Sequence, residues 1–208
     1  MLMWNRFFNA RLGSAGTATQ ALVEIVQDAN EITGRNATVY QSLIGPPMGR
    51  IWVADMYTGV GQLVAVQDDL WADQGFVTKS LRLAELMDGP PEDITARILQ
   101  VNGEMSAPPD VMSVMTWHGE PQTWAQTVDW ACKVSAVGAE ATGWTNVVMA
   151  MTQPRPFTIG ILSNMASFED LDAGLEDGPP AAMMELMADY PEGSRPVEME
   201  SMIARRIA

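Results

Sequence analysis

The chain has 208 residues, enough for one large domain or two of about 100 residues each. Its 12 basic residues face 26 acidic ones, for a net charge of −14. A surface this acidic repels phosphate backbones and anionic lipid headgroups, so neither nucleic acid nor a membrane is an expected partner.

The first predicted element is an apolar, aromatic strand from Leu2 to Leu12, followed by a turn at Gly13-Ser14-Ala15-Gly16. A helix is expected from about Thr17 to Ile32, with Ala21, Val23, Ile25, Ala29 and Ile32 near helical spacing. Thr17 suits its N-cap and Gly34 its C-terminal stop. Thr38 to Ile44 reads as a strand, Gly45-Pro46-Pro47-Met48-Gly49 as a turn and Arg50 to Tyr57 as the return strand. A helical region from Gln62 to Met87 breaks near Asp73-Gln74-Gly75, and Ile94 to Val101 alternates as a strand. After a linker at 102–110 come a strand (Val111 to Trp117), a helix opened by Pro121, and a strand pair (Asn146 to Met151 and Phe157 to Met165). Two short helical pieces between Phe168 and Tyr190 are split by Gly178-Pro179-Pro180, and Val197 to Ile203 is the last strand.

The second series repeats the first. A shift of 109 positions aligns Glu31-Ile32-Thr33-Gly34 with Glu140-Ala141-Thr142-Gly143, Met3 with Met112, Phe8 with Trp117 and Val39 with Val148. The same shift, without a gap, puts Asp55-Met56 on Asn164-Met165. Each series reads β-α-β-β-α-β, the ferredoxin-like order, with expected units at 1–105 and 108–208. Such a sheet carries helices on one face only and must bury the other. The expected fold is therefore α+β, with two tandem ferredoxin-like units packed sheet to sheet as a pseudo-dimeric barrel.

In this order and spacing the chain resembles the dimeric α+β-barrel superfamily, which includes antibiotic-biosynthesis-monooxygenase-like and NIPSNAP-like proteins. The resemblance spans nearly the whole chain but includes no diagnostic motif. It implies cofactor-independent oxygenases, isomerases, haem-binding proteins and members without activity as possible relatives, and it carries over no catalytic residue.

Chemistry-bearing residues are few. His118 is the only histidine; it ends a strand and is the candidate general base, although a loop-edge histidine bonded to backbone fits the position as well. Asn5 lies among large apolar neighbours, and with Tyr40 and Trp52 on the middle strands it is a candidate substrate-binding group. Core packing explains Trp52 equally. One histidine and one cysteine, Cys132, give no multi-ligand metal set and no intrachain disulfide, and Gly59-Val60-Gly61 lacks the third glycine of a dinucleotide loop. No cofactor is expected. The N-terminal run Met1-Leu2-Met3-Trp4-Asn5-Arg6 lacks a signal-peptide pattern, so a reducing cytoplasm is the expected location.

Two functions follow. One is a cofactor-independent oxygenase or isomerase acting on an apolar small molecule. The alternative is a non-catalytic structural or interaction protein that works through its outer surface. In either case further copies of the chain are expected as partners, because Met183, Met184 and Met187 share one short helix and Trp124 and Trp130, six positions apart on one helix, do not share one narrow stripe, which leaves one of them to face solvent or a partner.

Overall fold

A computed structural model of the chain describes residues 1–45, 49–105, 107–176, 178–190 and 199–208. The turn expected at 45–49 and the start of the last strand at 197 fall partly outside these residues. The strands are β1 (Leu2–Asn9), β2 (Thr38–Ile44), β3 (Arg50–Tyr57), β4 (Glu92–Asn102), β5 (Val111–His118), β6 (Thr145–Gln153), β7 (Thr158–Met165) and β8 (Met199–Arg206). The helices are α1 (Ala15–Thr33), α2 (Val60–Ala72), α3 (Gln74–Ala84), α4 (Trp124–Thr142), α5 (Phe168–Glu176) and α6 (Ala181–Ala188).

The strands close into a barrel in the order β1-β3-β2-β8-β5-β7-β6-β4. Read around it, β4-β1-β3-β2 and β8-β5-β7-β6 repeat one ferredoxin-like order, so the expected α+β pseudo-dimeric barrel is the observed fold. By compactness the chain divides into a first unit, Met1–Thr95 with Arg205–Ala208, and a second, Ala96–Ala204. The boundaries fall within β4 and β8.

The 109-residue relation holds residue for residue between β1 and β5 and between α1 and α4. It fails after the β6–β7 turn. Met3 stands opposite Met56, whereas its counterpart Met112 stands opposite Asn164. One residue fewer in that turn changes the relation to 108, so Asp55 corresponds to Ser163, Met56 to Asn164 and Tyr57 to Met165. The gap-free alignment of Asp55 with Asn164 is thereby corrected. The reason is physical: a slip of one residue moves every side chain of a strand to the other face.

In the first unit α1 buries Ala18, Leu22, Ile25 and Val26 against Val39, Ile51 and Val53 of the sheet and Leu83 and Met87 at the end of α3. A fully buried Leu or Ile of this kind stabilises by roughly 1.5–3 kcal/mol. Ile32, expected on this face, is exposed. The helix begins at Ala15, two residues before the expected cap Thr17, and stops at Gly34, whose φ of 65° is left-handed. In the second unit Trp130, Ala131 and Val134 of α4 pack on Trp117, Val148, Ile159 and Ile161. Trp130 is buried, with its indole N–H donating to the Leu186 carbonyl at 2.6 Å, and Trp124 is half-buried against the same cluster, so, against the expectation, neither is left facing solvent. Ser167 and Asp170 cap α5 reciprocally, which gives Asp170 its place in the first turn.

Candidate functional site

The β1–β3 register decides what each face of the first sheet can do. Leu2, Trp4, Arg6 and Phe8 share one face with Ile51, Val53, Asp55 and Tyr57; Met3, Asn5 and Phe7 share the other with Trp52, Ala54 and Met56. Helices α1, α2 and α3 cover the first of these faces incompletely. A cavity of about 380 Å³ remains between them and the sheet. Most of its wall is apolar: Phe8 and Val53 from the strands, Leu22, Ile25 and Val26 from α1, Leu63, Val66 and Leu70 from α2, and Phe76 and Leu83 from α3. Trp71 and Leu81 also line it, yet they are 54% and 65% exposed, which puts them at its mouth. Asp73, between α2 and α3, caps the latter by accepting from the Phe76 N–H at 2.7 Å.

The charged groups of this cavity and its one phenol, Tyr57, lie together at one end. Arg35, just after the Gly34 stop, grips Asp55 with both arms: Nε to Oδ2 at 2.6 Å and Nη2 to Oδ1 at 3.0 Å. Nη2 also donates to the Met56 carbonyl, and Asp55 accepts from the Met56 N–H at 2.7 Å. The guanidinium lies 4.3 Å from the centre of the Tyr57 ring. Asp55 and Tyr57 are buried and the Arg35 side chain is 18% exposed. Arg6 makes a second two-armed pair with Asp93, both contacts at 2.7 Å, and its guanidinium sits 5.2 Å from the Trp4 ring centre.

Burial, and then the adjacent Asp55 carboxylate, push the Tyr57 phenol well above its ordinary value. Hydrogen bonding to Asp55 raises Arg35 against the opposing effect of burial. Tyr57 therefore stays protonated throughout the neutral range, a hydrogen-bond donor at the polar end of an apolar chamber. The two arginine–carboxylate pairs leave that end with no net charge, which suits an uncharged guest carrying one or two oxygens.

None of the four residues singled out from sequence lines this cavity. Asn5, Tyr40 and Trp52 are buried on the opposite face of the first sheet. There Trp52 stacks on Tyr40 at 5.5 Å and 22° and meets Phe7 at 5.3 Å. His118 belongs to the second unit, with Nδ1 3.1 Å from the Thr158 hydroxyl. Among the described residues no group of three or more His, Cys, Asp or Glu is placed to hold a metal ion. No helix there is long and apolar enough to cross a membrane.

The corresponding place in the second unit has neither the charged groups nor the phenol. Met115 stands for Arg6, Trp144 for Arg35, Ser163 for Asp55 and Met165 for Tyr57. Trp144 packs against Val111, Met165 and Leu171. Its ring lies so close to Gly174 that a Cβ there would come within 2.3 Å of it.

No sequence family matches the chain, and no curated protein matches it by sequence. Solved structures do match its shape. A candidate monooxygenase from Fusobacterium nucleatum superposes with a TM-score of 0.71 at 5% identity, over 100% of this chain and 92% of that one. An anthrone oxidase-like protein gives 0.68 at 12% identity, over 100% and 91%. A candidate monooxygenase from Lactobacillus acidophilus gives 0.61 at 10%, over 99% and 93%. At such identities the likeness establishes the fold alone. The chain has the fold of the dimeric α+β-barrel superfamily, with both ferredoxin-like units carried in one polypeptide.

Proposed function

We propose that the first unit's cavity binds an uncharged, largely aromatic small molecule and that the protein oxidises it directly with molecular oxygen. One observation carries this reading: an apolar chamber of about 380 Å³ ends on a buried Arg35–Asp55–Tyr57 cluster. Chambers of this size, with apolar walls and a few convergent polar groups, are the usual form of small-molecule sites. The likeness to an anthrone oxidase-like protein and to two candidate monooxygenases supports the choice of chemistry.

In this reading Asp55 accepts a proton from an activated C–H of the substrate. Arg35 offsets the charge of the enolate that forms, and the Tyr57 hydroxyl donates to its oxygen. The enolate then reduces O2: one oxygen atom becomes a new carbonyl on that carbon, and the other leaves as water with the two hydrogens removed. Without oxygen, returning the proton to a different carbon would be an isomerisation, the neighbouring alternative. Asn5, Tyr40, Trp52 and His118 do not line the cavity, and this reading gives them no substrate contact.

An oxygen electrode with anthrone as substrate tests the proposal. The expected result is catalysed uptake of one O2 per anthrone, with kcat at least tenfold lower in Tyr57→Phe. Saturable anthrone binding without oxygen uptake would leave a binding protein or an isomerase. No binding at all would remove the cavity from consideration.

Self-association is proposed as well. Met184 and Met187 of α6 are exposed, 54% and 44%, while Met183 of the same helix packs inward. A methionine surface of this kind suits an adaptable contact.

A further inference from the structure

The tandem repeat should offer two equivalent ligand sites. We infer that it offers one, because the second unit fills its own site with the side chains of Trp144 and Met183. The inference rests on the assignment of the first unit's cavity as the ligand site.

The 109- and 108-residue relations identify what lines each chamber. Val66 and Ala29 line the first unit's cavity, and glycines stand in their places in the second unit, Gly174 and Gly138. Each glycine is in contact with a large apolar side chain, Trp144 in Arg35's place and Met183 from α6. A Cβ on Gly174 would lie 2.3 Å from the Trp144 ring, and a Cβ on Gly138 would lie 2.9 Å from the Met183 methyl. Trp144 completes a cluster with Val111, Met165 and Leu171, the counterparts of Leu2, Tyr57 and Leu63. The replacements are coordinated. Where the first unit has a charged Arg35–Asp55 pair and a void, the second has an indole, a serine and the two small residues that admit the filling groups. Losing the polar end and losing the space are one event in structure, since a buried arginine without its carboxylate is costly whereas an aromatic ring in the same place is favourable.

The asymmetry also bears on the ligand. The group that fills the second chamber from within is a flat, uncharged, fused aromatic ring. The chamber left open in the first unit has the same architecture, so planar fused aromatics are the class it would take.

Native mass spectrometry with 1-aminoanthracene, a neutral fused aromatic, counts the sites. The expected result is one bound molecule per wild-type chain, and at least a tenfold loss of occupancy in Val66→Trp, which puts an indole into the first chamber. Two molecules per wild-type chain, or full occupancy retained in Val66→Trp, would overturn the single-site inference while leaving aromatic binding intact. No molecule bound to the wild type would instead overturn the cavity assignment, and this inference with it. A variant of the second unit adds an independent arm. With the first chamber filled by Val66→Trp, the further change Trp144→Ala should give a protein whose melting temperature rises with added indole, and Val66→Trp alone should not respond. A folded double variant that gains nothing from indole contradicts the inference. If that variant does not fold, the wild-type and Val66→Trp counts still decide.

Discussion

Removing the Asp55 carboxylate separates what the Arg35–Asp55 pair does for stability from what it does for a ligand. In Asp55→Ala, Arg35 loses both arms of its contact, at 2.6 and 3.0 Å, and the Met56 N–H loses its acceptor. Breaking a fully buried pair costs about 3–5 kcal/mol, because one charge is left without a partner. Here the Arg35 side chain keeps 18% exposure and its bond to the Met56 carbonyl, so water and that carbonyl recover part of the loss. A cost of about 2–3 kcal/mol is expected. For a chain of this length that corresponds to a fall of about 5–10 °C in Tm. The double variant Arg35→Met with Asp55→Leu replaces both charges by apolar groups of similar size, and it should recover most of that loss. If the pair serves a ligand, the double variant still fails to bind anthrone despite its recovered stability. Thermal unfolding followed by circular dichroism, with an anthrone titration on the same samples, reads both quantities. An Asp55→Ala protein melting within 1 °C of the wild type, or a double variant with unchanged affinity, would refute this account of the pair.

Tyr57 carries a pH signature. Its phenol is raised in the folded state, so the unfolded chain loses that proton first as pH rises. The stabilisation is complete below about pH 10 and declines above it, by up to about 1.4 kcal/mol per pH unit for one group. Tyr57→Phe should flatten that alkaline decline in a urea titration between pH 9 and 11.5; an unchanged slope would show that Tyr57 is not the group responsible. Gly174→Ala forces a Cβ into the Trp144 ring and should cost about 1–3 kcal/mol, read as a lower urea midpoint with the same m-value. Ile159→Ala removes a fully buried side chain from the second unit's core and should cost about 2–5 kcal/mol. Light scattering at moderate salt should give a mass above the 22.7 kDa of one chain, and Met184→Glu with Met187→Glu should return it to that value. A wild type already at 22.7 kDa would end the proposal of self-association.

The element order was readable because turns and periodicities are local. Gly34 and Gly143 end α1 and α4 at matching places, and the glycine–proline turns bracket the strands. The one-residue slip at the β6–β7 turn was not readable. Met165 aligns with Met56 by identity, but the strand register pairs it with Tyr57's place. The cavity was hidden for a different reason. Alternation separates Asn5 from Trp4 and Arg6, but it does not say which face has space beneath its helices. That space depends on how far α2 and α3 stand from the sheet, a tertiary distance without a local signal. Asn5 on the odd face therefore reads as a polar group in an apolar pocket, while Arg6 on the even face pairs with Asp93, 87 positions away. Arg35 and Asp55 are 20 residues apart, and only the folded sheet brings them together. One clue was present: Tyr57 and Asp55 alternate with apolar Val53 and Ile51 on a single strand face, an acid and a phenol where a core face should be apolar.

The central claim is that the first unit's cavity is the ligand site, and tryptophan fluorescence tests it most directly. Trp4 and Trp71 line that cavity. Anthrone should quench their emission saturably, with one molecule bound per chain, and the quenching should shrink in Trp71→Phe and disappear in Val66→Trp. Quenching that does not saturate, or that survives Val66→Trp unchanged, would contradict the claim.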